Sequence, residues 1–268
     1  MPRSSLSRFR VPAETELGTT GDRTDRYDGV PATTLAARLG LHRVDVYAAI
    51  GSTMDAVHAL GAAGAPAGTL VLADSQTAGR GRQGNAWRSA SSSGIWLTLL
   101  ERPPDDSGLQ VLSLRVGMAA ARALDALAEQ AVRVKWPNDL YVGDGKVGGI
   151  LVEARWRGGR PDWVAIGIGV NLDRPAELPR AAGLRRGTTR LRVLESLVPA
   201  VRTAVRAGPL DSPELIEYAQ RDFARGRRCV SPGHGIVEGV TPGGELAVRT
   251  GDGVVHYRSG SLVLAEDW

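Results

Sequence analysis

A single cysteine, Cys229, stands in 268 residues. No disulfide framework can close within the chain, and no zinc site drawing two thiolates from it can form. Histidine is almost as scarce. His42, His58, His234 and His256 are scattered, none with a partner at ligand spacing, which argues against a protein-bound transition metal. No apolar run reaches the ~18 residues of a membrane span. Residues 1–18 lack the apolar middle of a secretory signal. A soluble protein of the reducing cytoplasm is expected. Neither sign of charge is in great excess, since 33 Lys and Arg face 29 Asp and Glu, a net of +4. That balance permits an acidic partner without demanding a nucleic acid. What is present is ordinary globular material. With 43% hydrophobic and 23% charged residues, the chain can bury a core as one large domain or one large plus one small.

Residues 1–30, rich in Ser, Thr, Asp, Arg and Gly without sustained period, read as a flexible leader. Residues 31–41 allow one short helix, too little for a helix-turn-helix with its support, so no DNA-binding head is expected. Strands are expected at 44–50, 69–74, 94–100 and 163–172. Helices are expected at 55–63, 111–130, 191–206 and 213–225, and a hairpin over 132–142 and 146–154. From Arg227 the texture changes to short β-rich runs parted by Pro-Gly-Gly and Gly-Asp-Gly turns, the pattern of a small barrel. The chain is thus expected to be α+β. A mixed sheet packed with helices fills 31–226, and a small β-barrel follows over 227–268.

Four segments carry chemistry. In Gly79-Arg80-Gly81-Arg82-Gln83-Gly84-Asn85, three glycines let backbone approach a ligand but leave the loop unable to order itself. Arg80 and Arg82 add forked cations suited to carboxylate or phosphate. No Gly-Lys-Ser/Thr follows, so this is not the phosphate loop of nucleotide hydrolases. A solvated surface loop is the plain alternative. In the hairpin, Asp144-Gly145 is a strong turn signal. It sets Tyr141 opposite Gly148 and Asp139 opposite Ile150. Lys135, Pro137, Asp139, Tyr141, Lys146 and Gly148 then share a face, unless a bulge at Pro137 turns Lys135 away. This is either an ion pair or the polar wall of a site. Along 165–171, Ala165, Gly167, Gly169 and Asn171 fall on one face, a bare strip ending in an amide. It is either a pocket floor or a close helix contact. Ser52 and Thr53, ahead of a helix, are either caps or ligand contacts.

In this order the segments closely resemble those of the biotin–protein ligases. The shared features are Gly51-Ser52-Thr53, the Gly79–Trp87 loop, Lys135-Trp136-Pro137-Asn138-Asp139, Lys146-Val147-Gly148-Gly149-Ile150-Leu151, and Gly167-Ile168-Gly169-Val170-Asn171. The resemblance spans about residues 44–172 and is to the short form of the family, without a DNA-binding head. Met54 stands where the family usually has Asn, and Gln83 and Asn85 where arginines are common.

The resemblance implies a small SH3-like C-terminal domain and an ATP-dependent ligase. Biotin would be activated as biotinyl-5′-AMP and passed to a lysine of the biotin carboxyl carrier domain of a carboxylase. Biotin and ATP are then substrates, with Mg²⁺ and no tightly bound cofactor, and with neither DNA nor membrane as partner. The implied catalytic residues are Lys146, Arg82 and Asp139. Ser52, Thr53, Gln76, Arg80, Gly81, Arg82, Lys146 and Gly149 would meet biotin. Arg80, Arg82, Trp87, Asn138, Lys146 and Asn171 would meet ATP, and Asp139 with Asn138 would hold Mg²⁺. Two rivals remain. Lipoate ligation shares the catalytic fold; a nucleic-acid-binding module built on the basic loop would show steep salt dependence.

Overall fold

The computed structural model describes residues 21–265. An eight-stranded mixed sheet runs in the order β1 (Gly21–Thr24), β4 (Arg43–Ile50), β5 (Thr69–Gln76), β6 (Gly94–Glu101), β10 (Arg160–Asn171), β9 (Gly145–Arg157), β8 (Asp139–Val142) and β7 (Arg133–Lys135). Only β4 and β5 pair in parallel. β2 (Arg26–Tyr27) and β3 (Val30–Pro31) form a small separate ladder. The leader expected over 1–30 is therefore too long. From Gly21 the chain is already in the sheet, β1 pairing with β4, because Asp22 and Arg23 find ladder partners there; residues 1–20 lie outside the described residues.

The helices distribute unequally over the two faces. α1 (Ala32–Leu39), α3 (Leu112–Leu124) and α4 (Arg190–Thr203) bury their apolar sides, with Ile166, Ile168 and Val170 of β10, in one large core. The other face carries one helix, α2 (Thr53–Ala62), which with Ala165 and Leu100 forms a smaller core. The alternation of β10 decides this division, since successive side chains point to opposite faces. Beyond α2 no further helix covers that second face among the described residues, and there the glycines of β9 and β10 floor a cavity.

The ends of α3 and α5 fall furthest short of what their periodicity predicts. α3 stops at Leu124 rather than near residue 130, where Asp125 turns its carboxylate to the Val132 N–H and the Arg221 guanidinium. α5 (Ser212–Arg221) stops before Asp222, whose extended backbone bridges to Val134. At its other end α5 opens with a capping box. Asp211 accepts from the Glu214 N–H while Glu214 accepts from the Asp211 N–H.

The hairpin needs a larger correction. Residues 132–142 are not one strand. Proline offers no N–H to a ladder, and the strand breaks at Trp136–Pro137, leaving β7 and β8 as antiparallel partners with Lys135 opposite Asp139. The β8–β9 turn is centred on Gly143 and Asp144, not Asp144 and Gly145. Gly143 takes φ 56°, a left-handed conformation that glycine adopts without strain. Val142 therefore faces Gly145 and Tyr141 faces Lys146; a bulge after Leu140 then brings Gly149, rather than Ile150, opposite Asp139. Gly148 turns to the core side, toward Leu140 and Val170.

After α5 come β11 (Arg228–Ser231), β12 (Gly235–Val240), β13 (Leu246–Thr250), β14 (Gly253–Tyr257) and β15 (Val263–Leu264). They form a five-stranded antiparallel sheet ordered β14-β13-β12-β11-β15. The small barrel expected here is open, with no pairing between β14 and β15 among the described residues. Its apolar residues Cys229, Val237, Leu246, Val248 and Leu264 belong to the same core as α3 and α4. Trp136 Nε1 donates to Gly244 O at 3.0 Å, tying the sheet to the β7–β8 corner.

Candidate active site

The cavity on the second face holds about 190 Å³. Its floor is the paired stretch of β9 and β10 where Gly169 lies opposite Gly149 and Gly167 opposite Leu151. A methyl group on Gly169 would overlap the Trp87 indole, and one on Gly167 would press on Met54, so these positions are bare because side chains of other elements lie across them. The strip read from alternation is thus a pocket floor, though partly filled from above.

One end of the cavity is polar and hydrogen-bonded. Gln76, last residue of β5, accepts at Oε1 from Thr53 N (2.9 Å) and from Thr53 Oγ1 (3.1 Å), and its Nε2 donates to Ser89 Oγ (2.8 Å). Gln76 thereby caps α2, the role the sequence offered to Ser52. Ser52 makes no capping bond and lines the cavity instead. Beneath Thr53 lies Thr98 of β6, 2.8 Å from it, hydroxyl to hydroxyl, and buried. The sequence reading missed Thr98, although a lone hydroxyl within the otherwise apolar run Ile95–Leu100 and opposite Gly167 was a signal.

The wall at the other end is charged. Lys146 Nζ stands 2.6 Å from Asp139 Oδ1 and 5.2 Å from the Trp87 ring centroid. Trp87 itself is wedged against Gly149 and edge-on to Trp96, with its buried Nε1–H given no acceptor. Across from them the Gly79–Trp87 loop closes on itself through Gly81 N to Asn85 O and Trp87 N to Gly79 O. It is held from outside at three points. Arg80 forks onto Asp55 (2.8 and 2.6 Å), Arg82 Nη1 donates to Gly260 O (3.2 Å), and Ser261 Oγ lies 3.2 Å from Gln83 Oε1. The fork on Asp55 raises the Arg80 pKa and lowers that of Asp55. Arg82 is different. Burial pulls its pKa down, against the field of Asp139, and among the described residues no carboxylate lies within ion-pair distance of it.

The structure thus gathers Ser52, Thr53, Gln76, Arg80, Gly81, Arg82, Trp87, Asn138, Asp139, Lys146 and Gly149 around one cavity. Asn171 is not brought there. Its side-chain nitrogen donates to Ala182 O (3.1 Å) and Lys146 O (3.4 Å), pinning the loop behind β9. Lys135 is also elsewhere, buried with its ammonium 5.5 Å from the Tyr141 ring and 5.9 Å from that of Phe223. Asp139 and Asn138 do not fit a resident Mg²⁺. Asn138 Nδ2 donates to Ile150 O at 2.7 Å, Asp139 Oδ1 is taken by Lys146, and the described residues contain no group of three His, Cys, Asp or Glu side chains that could hold a metal ion.

Comparison with known proteins agrees with this geometry. The family model of the biotin/lipoate A/B protein ligases matches residues 46–171. A bifunctional ligase/repressor of Bacillus spizizenii is 40% identical over 131 residues, 48% of this chain and 40% of the relative. The chain therefore spans less than half the length of such relatives. A biotin–[acetyl-CoA-carboxylase] ligase of Mycobacterium tuberculosis is 31% identical over 255 residues, covering 85% of this chain and 91% of the relative. In fold, the chain matches a biotin protein ligase from Aquifex aeolicus, solved in complex with biotin and ATP. The TM-score is 0.65 and the identity 24%, over 84% of this chain and 99% of that one. With the motif residues converging on one cavity and a relative matched along nearly its whole length, the chain belongs to the biotin/lipoate A/B protein ligase family.

Proposed function

We propose that the protein is an ATP-dependent biotin–protein ligase. It activates biotin as biotinyl-5′-adenylate and transfers the acyl group to a lysine of a biotin carboxyl carrier domain. The observation that carries this reading is Arg82, a partly desolvated guanidinium at the cavity with no carboxylate within ion-pair distance among the described residues. Such a cation calls for an anionic ligand. Lys146, whose ammonium stands over the same space, supplies a second positive charge.

The first half-reaction brings two anions together. A carboxylate oxygen of biotin attacks the α-phosphorus of ATP, the bond to the bridging oxygen breaks, and pyrophosphate leaves with the electron pair. Lys146 and Arg82 offset the charge that accumulates as the two anions meet. Mg²⁺ enters as the counter-ion of substrate ATP. The polar end formed by Ser52, Thr53 and Gln76 suits the donors and acceptors of a ureido ring, and the orphaned Trp87 N–H suits an acceptor on the adenylate. In the second half-reaction a neutral amine attacks the acyl carbon and AMP departs. Asp139 fixes Lys146 and is placed to accept a hydrogen bond from that amine. Two further points belong to this reading. ATP supply and the lone cysteine suit the cytoplasm, and the 227–265 segment, which contributes Gly260 and Ser261 to the loop, serves the catalytic site while sharing its core.

The test is to incubate the protein with biotin, MgATP and no carrier. Biotin-dependent pyrophosphate release and the mass of biotinyl-5′-AMP are expected. Release that depends on lipoate and ignores biotin would transfer the assignment to the lipoate branch.

A further inference from the structure

Between α2 and the far ends of β9 and β10, a row of polar side chains leads to Arg80. Trp163 Nε1 donates to His58 Nδ1 at 3.2 Å, and His58 Nε2 lies 2.8 Å from Glu153 Oε2. Indole is a donor only, so the Nδ1 it meets is the acceptor. His58 is thereby held as the Nε2–H tautomer, donating to Glu153. The other oxygen of Glu153, Oε1, is 3.8 Å from Arg80 Nε, while the guanidinium fork is filled by Asp55.

The backbone supports the arrangement. Glu153 sits on β9 two positions from Leu151 and four from Gly149, so it shares the cavity-floor face at its far end, opposite Ala165. The Trp163 indole occupies the space a side chain on Gly61 of α2 would need. None of His58, Glu153 or Trp163 lines the cavity.

Resting on the ligase reading above, we propose that His58 is a positioning residue. In its Nε2–H tautomer it fixes Glu153, and Glu153 with Asp55 fixes Arg80 and the base of the Arg/Gly loop at the cavity rim for the carboxylate substrate. Protonation at Nδ1 undoes this in two ways. It sets a second N–H against that of Trp163, and it places a cation beside Arg80 and Arg155 that competes with both for Glu153. The charged groups facing His58 are Glu153, Arg155, Arg80 and Asp55. Burial foremost, with Arg155 and Arg80, holds the His58 pKa below its ordinary 6.5 against the pull of Glu153. The relay is therefore intact at neutral pH and weakens on acidification.

The experiment measures KM for biotin, KM for ATP and kcat of pyrophosphate release from pH 5 to 8.5, in the parent and in His58→Leu and His58→Gln. Thermal stability is recorded alongside. For His58→Leu, KM for biotin is expected to rise about tenfold with KM for ATP and kcat within about twofold, whereas Gln, which keeps a donor toward Glu153, recovers most of the loss. In the parent, KM for biotin should climb only on the acid side of the ordinary histidine value of 6.5, since burial holds His58 lower, and in His58→Gln it should stay flat. An unchanged KM in His58→Leu, or losses in all three parameters that track the melting temperature, overturns the proposal. The imidazole ¹⁵N spectrum of the parent at pH 7.5 gives a reading independent of activity. An Nδ1–H tautomer refutes the relay, whereas a protein that shows the Nε2–H tautomer but releases no biotin-dependent pyrophosphate refutes the ligase reading alone.

Discussion

Thr98 shows how much a single hydroxyl can set in this site. It lies under Thr53, which in turn shares Gln76 with Ser89, so one buried contact steadies a chain of four polar groups at the closed end of the cavity. Thr98→Val keeps the branched shape and removes the hydroxyl. A neutral hydrogen bond is worth about 1 kcal/mol, so KM for biotin should rise roughly fivefold with kcat little changed. Steady-state kinetics at saturating ATP checks this, and an unaltered KM would mean that Thr98 only fills space. Most other cavity residues were legible because they lie in short contiguous motifs whose residue types announce anion or ligand chemistry. Thr98 was not, since it joins the site only through strand pairing with Gly167. Asn171 illustrates the reverse. Alternation put it on the face of Gly169, but at the strand end its amide finds the Lys146 and Ala182 carbonyls and goes no further.

At the scale of elements, the α5 N-terminus carries the clearest pH signature. Burial alone would raise the Glu214 pKa. Hydrogen bonds from Arg115, the Asp211 N–H and Arg206 outweigh it and bring the carboxyl down to about 2. Arg115 is itself buried, donating to both Glu214 oxygens and to carbonyls of 206–209. Glu214 therefore contributes stability above its ordinary 4.5, and that contribution fades as pH falls from 4.5 toward 2, a change of about 3 kcal/mol. Denaturant titrations of the parent should show this loss. Glu214→Gln should be less stable at pH 7 by a similar amount, with a shallower slope below pH 4.5. Equal slopes in the two proteins would show that Glu214 is not the group responsible. Elements were legible where periodicity ran unbroken, as in β4, β5, β6, β10 and α2. The hairpin register was not. Turn propensity favoured Asp144-Gly145 and proline chemistry already pointed to an irregularity at Pro137, whereas the bulge after Leu140 goes with the β9 pairing and the stacking of Tyr141 on Phe223, which no local signal shows.

The whole molecule unfolds, on this account, as a unit. The change of texture at Arg227 marks a change of strand length rather than a separable core, since Cys229, Val237, Leu246, Val248 and Leu264 pack in the same cluster as α3 and α4. A single calorimetric transition, with equal calorimetric and van't Hoff enthalpies, is expected. Two resolved transitions would show that the C-terminal sheet is energetically independent. The same continuity explains how Gly260 and Ser261, remote in sequence, come to hold Arg82 and Gln83.

The central claim is that two cations, Lys146 above all, draw a carboxylate and a phosphate together. The most direct measurement is kcat for biotin-dependent pyrophosphate release, at saturating biotin and ATP, in the parent, Lys146→Gln and Lys135→Gln. Removing one preorganised electrostatic donor costs about 100-fold or more, so Lys146→Gln should fall by at least that. Lys135→Gln, buried against Tyr141 and Phe223 and outside the cavity, should stay within a few-fold of the parent per folded molecule. A dispensable Lys146 beside an essential Lys135 would contradict the account.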